Sequence, residues 1–218
     1  MPGFAIFDVL ERRADLGPER VAMHDLAAGR ALTYLEMHQR AGRSAALLAD
    51  LGIAAGDRVA LLCRNRIEFF EILFACARIE AILVPLNWRM PPAELEKLLA
   101  DCGARCLLYG KEDAHSASAL GGASLRRLGL DDDGDDGFAA RRDALSAVAR
   151  APARQADDTW YLLYTSGTTG RPKAVINTFG MAMANYVNIS QGMELSGDDT
   201  TLCFLPLFHS GGINLTAL

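Results

Sequence analysis

The chain has 218 residues, 22 Lys and Arg against 27 Asp and Glu, a net charge of −5, and half of its residues are hydrophobic. That is enough apolar material to offset the entropy of ordering, which excludes a fully disordered chain, and the length allows one or two domains. A net-negative chain with no Lys/Arg block is a poor polyanion binder, so nucleic acid is not an expected partner, although local phosphate binding stays open.

The first 17 residues carry no basic stretch ahead of an apolar core and do not read as a signal peptide. The longest apolar runs, such as Ala81 to Leu86, fall far short of the ~20 residues that a membrane span needs. Cys63, Cys76, Cys102, Cys106 and Cys203 form an odd set, and all but Cys102 sit in apolar runs. This suits buried, reduced thiols in a cytoplasmic protein. Cys102 and Cys106 have no second pair nearby, so no zinc site is expected.

Thr33-Tyr-Leu-Glu36 has the form of a capping box. Tyr34, His38, Ala41, Ala45 and Leu48 then share one helical face, and Gly52 ends the run. Gly56-Asp57 turns into Arg58 to Cys63, a short apolar run expected as a buried strand. Glu68 to Ile79 reads as a helix with Phe69, Ile72, Leu73 and Cys76 on one stripe, and Ala81 to Leu86 as a second strand. Pro91-Pro92 opens a helix that runs to Gly103, and Arg105 to Tyr109 makes a third strand. The order β-α-β-α-β predicts a mostly parallel sheet with helices on both faces.

From Lys111 to Asp158 the pattern loosens. Asp131 to Gly137 is acidic, but neither register puts ligands and glycine where a calcium loop needs them, so a solvated, mobile loop is expected. Order resumes with a strand at Thr159 to Tyr164, another at Ala174 to Ile176, a helix from about Met181 to Met193, and a strand at Thr201 to Leu205. The closing run from Ile213 to Leu218 has no stop signal and reads as an interrupted element.

Directly after the strand at Thr159 to Tyr164 comes Thr165-Ser-Gly-Thr-Thr-Gly-Arg-Pro-Lys173. Gly167 and Gly170 permit positive φ and close approach of backbone amides. Thr165, Ser166, Thr168 and Thr169 add hydroxyls, and Lys173 adds a flexible cation. Such a set can wrap phosphate oxygens. The P-loop pattern is not met, because Gly170 is followed by Arg171-Pro172 and Lys173 by Ala174. A Gly/Ser/Thr linker is the plainer alternative, but the segment lies between two apolar strand patterns, where a linker is out of place.

Tyr164 to Lys173 resembles the signature of the adenylate-forming (AMP-binding) superfamily. Thr33-Tyr, Gly56-Asp-Arg-Val-Ala-Leu61, Val84-Pro-Leu-Asn-Trp-Arg89 and Leu205-Pro-Leu-Phe-His-Ser-Gly-Gly212 resemble further motifs of that family in the same order. The resemblance implies an α/β fold, the N-terminal part of the family's large domain, with mostly parallel sheets flanked by helices. It implies a first α/β subdomain over residues 1–155 and the start of a second over 156–218 carrying the phosphate-binding loop, with the rest of the large domain and a C-terminal domain lying beyond residue 218. It implies an acid–thiol ligase that joins a carboxylic acid to AMP and then to a thiol, with ATP, Mg²⁺ and coenzyme A as cofactors and co-substrates. Thr165, Ser166, Gly167, Thr168, Thr169, Gly170 and Lys173 would hold the phosphates, with Thr165 near Mg²⁺ and Lys173 catalytic.

Ala174 stands where many members have Gly, and Asn177-Thr-Phe-Gly180 where a His often follows. His209 follows Phe208 at the place where amino-acid-activating relatives carry an Asp, so an amino acid is not the expected substrate. By the same resemblance His209 is catalytic and lines the acid pocket, with Gly211 and Gly212 thinning its wall; a fatty or aryl acid is the expected substrate. The adenine, ribose and C-terminal lysine motifs fall beyond residue 218, so the chain alone is expected to be inactive. Two readings from other classes remain: a non-catalytic nucleotide- or phosphate-binding module, and an interaction fragment. Homo-oligomerisation is left open.

Overall fold

A computed structural model describes residues 4–122, 124–148, 153–165 and 172–217. β1 (Ala5–Ile6) and α1 (Val9–Leu16) precede a hairpin of β2 (Val21–Asp25) and β3 (Arg30–Thr33). Then come α2 (Tyr34–Asp50), β4 (Arg58–Leu62), α3 (Ile67–Arg78), β5 (Ile82–Pro85), α4 (Pro92–Cys102) and β6 (Ala104–Tyr109). α5 (Ala114–Ser118), β7 (Arg126–Gly129), α6 (Phe138–Asp143) and β8 (Arg154–Gln155) follow, and the last regular elements are β9 (Thr159–Thr165), β10 (Lys173–Thr178) and α7 (Phe179–Gly192).

Local signals set the helix ends. Glu36 N–H donates to Thr33 Oγ1 at 3.2 Å and Thr33 N–H to the Glu36 carboxylate at 2.7 Å, so the capping box closes. Pro92 occupies the first turn of α4, where its missing N–H costs nothing, and Gly103 ends that helix at φ 60°, a left-handed cap that glycine adopts without strain.

Six strands form one sheet in the order β10-β9-β5-β4-β6-β7, parallel throughout except for the β9–β10 hairpin. The chain runs from β4 outward to β5, then crosses back over β4 to β6. Right-handed crossovers therefore put α3 on one face and α4 with α5 on the other. Alternation along β4 serves both layers: Val59 and Leu61 join the core beneath α2 and α3, while Ala60 and Leu62 join the one beneath α4. This is the α/β fold, with helices on both faces, that the sequence predicts.

α3 is more deeply buried than its expected stripe of Phe69, Ile72, Leu73 and Cys76. Its other side, carrying Glu68, Glu71 and Arg78, is also covered, chiefly by α2. These charges survive burial by pairing. Glu71 meets Arg40 at 2.9 Å and Arg142 at 3.2 Å and accepts from the Ser44 hydroxyl. Glu68 meets Arg30 at 2.7 Å and Arg66 at 2.8 Å. Burial works against ionising Glu68, but its hydrogen bonds to Arg66 and Arg30 win and hold its carboxyl down to about 2. Arg78, fully buried, binds Asp8 at 2.9 Å and both the carbonyl and Nδ1 of His38.

Two expectations need correction. Thr201 to Leu205 is not a strand: Leu202 and Phe204 are 69% and 74% exposed, and the Cys203 and Leu205 carbonyls accept from the Asn65 side chain rather than from a neighbouring strand. An apolar run becomes a strand only where a partner takes up its backbone groups. The loosened stretch after Lys111 holds β7 as an edge strand and α6, and its acidic loop is not wholly solvated. Asp131 binds Arg66 through two contacts of 2.8 Å and accepts from the Lys111 N–H at 2.9 Å. The final run, expected as an interrupted element, lies in a π-helical stretch over Gly211–Ala217.

Candidate phosphate-binding site

The site grows from the carboxyl ends of the parallel strands, the edge where open α/β sheets bind their ligands. β9 is fixed there by two tyrosines that face opposite layers. Tyr161 donates its hydroxyl to the Asn214 side chain, and Tyr164 donates to Asp101 at the end of α4 at 2.5 Å. Burial, reinforced by Asp101, pushes the Tyr164 phenol up, so it stays protonated as a donor.

β9 then ends at Thr165 and β10 starts at Lys173, and these two residues are direct antiparallel partners, both exposed. A residue bearing a hydroxyl and one bearing an ammonium group thus stand opposite each other at the facing ends of β9 and β10. The remaining residues expected of the cradle, Ser166, Gly167, Thr168, Thr169 and Gly170, lie outside the described residues. Thr165 and Lys173 fit the edge of a polyphosphate: one neutral donor, one mobile cation, both open to solvent. Thr165 offers Mg²⁺ a single hard oxygen. Among the described residues there is no cluster of three or more His, Cys, Asp or Glu that could hold a metal.

A second loop reaches the same edge. Leu207 is buried, and its N–H donates to Asn65 Oδ1 at 3.0 Å, just beyond the end of β4. Phe208 meets Trp88 edge-to-face at 6.3 Å, just beyond the end of β5. The Arg64 guanidinium lies 3.4 Å from the Trp88 ring centroid, and that of Arg89 lies 4.4 Å from Trp88 and 5.6 Å from Phe208. His209 is exposed, and its Nδ1 accepts from the Gly211 N–H at 3.3 Å, which leaves the proton of a neutral ring on Nε2. A Cβ on Gly212 would sit 2.1 Å from the Pro206 carbonyl oxygen, so glycine is required there, whereas on Gly211 it would make ordinary contacts with Leu205 Cδ1 at 3.4 Å and His209 Nδ1 at 3.7 Å.

Cys63, at the end of β4, does not supply a nucleophile: burial raises its thiol to about 12. The small apolar cavity of about 20 Å³ lined by Phe7, Phe74, Trp160 and Phe179 lies at the opposite end of the strands. Sequence reasoning missed Asn65, Asn214, Asp101 and the Arg64–Trp88–Arg89 stack. Arg64, Asn65, Trp88 and Arg89 share one signal, polar or aromatic residues just past strand ends, whereas Asp101 closes α4 and Asn214 lies in the π-helical stretch.

The fold and the site together define the class. The chain matches the sequence model of the AMP-binding enzyme family over residues 10–218 and belongs to that family. It is 37% identical over 207 residues to a feruloyl-CoA synthase from Amycolatopsis sp, covering 95% of this chain and 40% of the relative. It is 35% identical over 205 residues to the long-chain-fatty-acid–CoA ligase FadD13 of Mycobacterium tuberculosis, covering 92% of this chain and 40% of the relative. The chain thus spans about 40% of the length of the curated relatives it matches. Among solved structures, the o-succinylbenzoate coenzyme A synthetase MenE of Bacillus subtilis, in complex with ATP and magnesium ion, superposes with a TM-score of 0.81 at 27% identity, covering 97% of this chain and 54% of that one.

Proposed function

We propose that this chain is the N-terminal portion of an AMP-forming carboxylic acid–CoA ligase and supplies its phosphate cradle and one wall of its acid pocket. The observation that carries this reading is the antiparallel pair Thr165–Lys173 at the carboxyl edge of the sheet, which flanks the glycine- and hydroxyl-rich sequence 166–171. Supporting it, relatives that act on aryl and fatty acids match along nearly the whole chain.

In this reading ATP would supply the activating phosphoanhydride, Mg²⁺ would offset the charge of its phosphates, and coenzyme A would receive the acyl group. Lys173 places positive charge beside the departing pyrophosphate, where negative charge grows. Thr165, Ser166, Thr168 and Thr169 donate hydroxyl hydrogen bonds there, and Gly167 and Gly170 let backbone amides approach. Fixed donors aimed at developing charge are the largest single source of rate enhancement in such sites. Thr165 also contributes one oxygen toward Mg²⁺. His209 presents a donor to the acid carboxylate, and the bare backbone of Gly211 and Gly212 leaves room for the acid.

The chemistry of the substrate is a fatty or aryl acid. The division at residue 155 rests on the family resemblance alone, since β9 lies beside β5 in the same six-stranded sheet. A cytoplasmic location fits the reduced cysteines, and no helix among the described residues is long and apolar enough to cross a membrane.

A panel of fatty and aryl acids, tested on the complete protein for acid-dependent ATP–pyrophosphate exchange and coenzyme A consumption, tests the reading. The Lys173→Ala variant is expected to lose about 10²-fold or more in kcat with its fold intact. Unchanged kinetics would remove Lys173 from the mechanism. The 218-residue chain alone is expected to show no exchange with any acid.

A further inference from the structure

We infer that Asn65 is a positioning residue for the acid-side loop: its carboxamide stands in for a missing strand and holds Leu205–Leu207, and hence His209, at the carboxyl edge of the sheet. The inference rests on the ligase reading for what the loop does, and on geometry alone for how it is held.

Asn65 lies three residues past the end of β4. Its Oδ1 accepts from the Leu207 N–H at 3.0 Å, while its Nδ2 donates to the Leu205 carbonyl at 2.8 Å and to the Cys203 carbonyl at 3.3 Å. An acceptor for residue 207 and a donor for residue 205 are the pair of groups that a neighbouring backbone peptide would present to a strand. Pro206, between them, has no N–H to satisfy. The carboxamide therefore does for this segment what a sheet neighbour does elsewhere. Only an amide side chain of this length offers both a donor and an acceptor here; a carboxylate cannot donate.

Holding Leu205–Leu207 in place also holds the turn that carries His209. His209 N–H donates to the Pro206 carbonyl at 3.1 Å, and Gly212 and Ile213 N–H groups donate to the His209 carbonyl at 2.9 and 3.1 Å. The close approach of Gly212 to Pro206 leaves this turn little room to shift. Leu205 to Ile213 is thus one unit. It is pinned by Asn65 at the end of β4, by Phe208 on Trp88 at the end of β5, and by Asn214 on Tyr161 of β9. The polar pin spans 140 residues of sequence between Asn65 and Leu205.

The test uses the complete protein and two variants, Asn65→Ala and the isosteric Asn65→Asp, read by peptide-level hydrogen exchange and by steady-state kinetics. Asn65→Ala is expected to speed exchange in peptides covering residues 203–212 while peptides of β4 and α3 stay protected. The KM for the acid should rise about tenfold, the loss of one or two net hydrogen bonds, with the KM for ATP within twofold. Asn65→Asp keeps the shape and the acceptor but sets a carboxylate against two carbonyls, so it should show the same acid-specific loss. Unchanged exchange at 203–212, or equal rises in both KM values with exchange faster across the whole sheet, would overturn the positioning role. Should the unaltered protein show no acid-dependent exchange of pyrophosphate, the ligase reading fails instead, and the hydrogen-exchange comparison still decides whether Asn65 holds the loop.

Discussion

Two parts of this molecule use similar apolar sequence to opposite ends. In β4, Val59 to Leu62 are buried on both faces, each residue touching a helix layer. In β10 and α7, Val175, Ile176, Met181, Tyr186 and Val187 are between 43% and 58% exposed, and Leu202 and Phe204 beyond them more so. The first region finds its partners close by in the sequence. In the second, much of the apolar face has none among the described residues. Hydrophobic pattern therefore reports what a segment is able to bury, while burial itself depends on what the remaining chain supplies. Thr165 and Lys173 stand at the junction: β9 belongs to the packed sheet and β10 to its open edge.

The contrast between the two regions breaks most readily at the charges inside the packed part. Glu71→Ala removes the buried carboxylate that Arg142, Arg40 and the Ser44 hydroxyl share, leaving Arg142 only Asp143 and Arg40 only Glu68, and a loss of about 3 kcal/mol is expected in chemical denaturation. A loss below about 1 kcal/mol would mean the network is slack. Next comes a matched pair. Leu61→Ala, at 1% exposure, is expected to cost about 2–5 kcal/mol, and Ile176→Ala, at 55%, within about 0.5 kcal/mol. Equal losses would erase the distinction between the two regions. Removing the cap of α2 with Thr33→Ala should cost about 1 kcal/mol, measured the same way.

The smallest expected effect is on pH dependence. Burial first, and then the neighbouring Arg78, lowers the pKa of His38, against smaller opposing effects of Asp8, Glu11 and Asp15. The folded state thus binds fewer protons here than the unfolded one. The corresponding stability is full above the ordinary histidine value of 6.5 and is lost as pH falls from there through the lowered value. Stability measured from about pH 8 to about pH 5 should decline below 6.5, and His38→Gln should flatten that decline. A slope of the opposite sign would place a charged imidazole in the fold.

Much of the fold was legible in sequence where the signals were local. The capping box at Thr33, the proline and glycine bracketing α4, and the apolar runs of β4, β5 and β6 each specify their element within a few residues. β7 escaped because Arg126-Arg-Leu-Gly129 is a half-polar edge strand, and the run at Thr201 misled because its backbone partner is a side chain about 140 residues away. The candidate site divides in the same way. The sequence from Thr165 to Lys173 is a compact motif, and of it Thr165, Pro172 and Lys173 are described. The residues that hold it and the second loop in place, Asn65, Trp88, Asp101 and Asn214, act through tertiary contacts that no short pattern encodes.

A structure of the complete protein soaked with ATP and Mg²⁺ tests the central claim most directly. The account predicts β- and γ-phosphates seated in the turn closed by Thr165 and Lys173, with the Lys173 ammonium within hydrogen-bonding distance of a phosphate oxygen. A triphosphate bound elsewhere, with that turn facing away from it, would contradict the account.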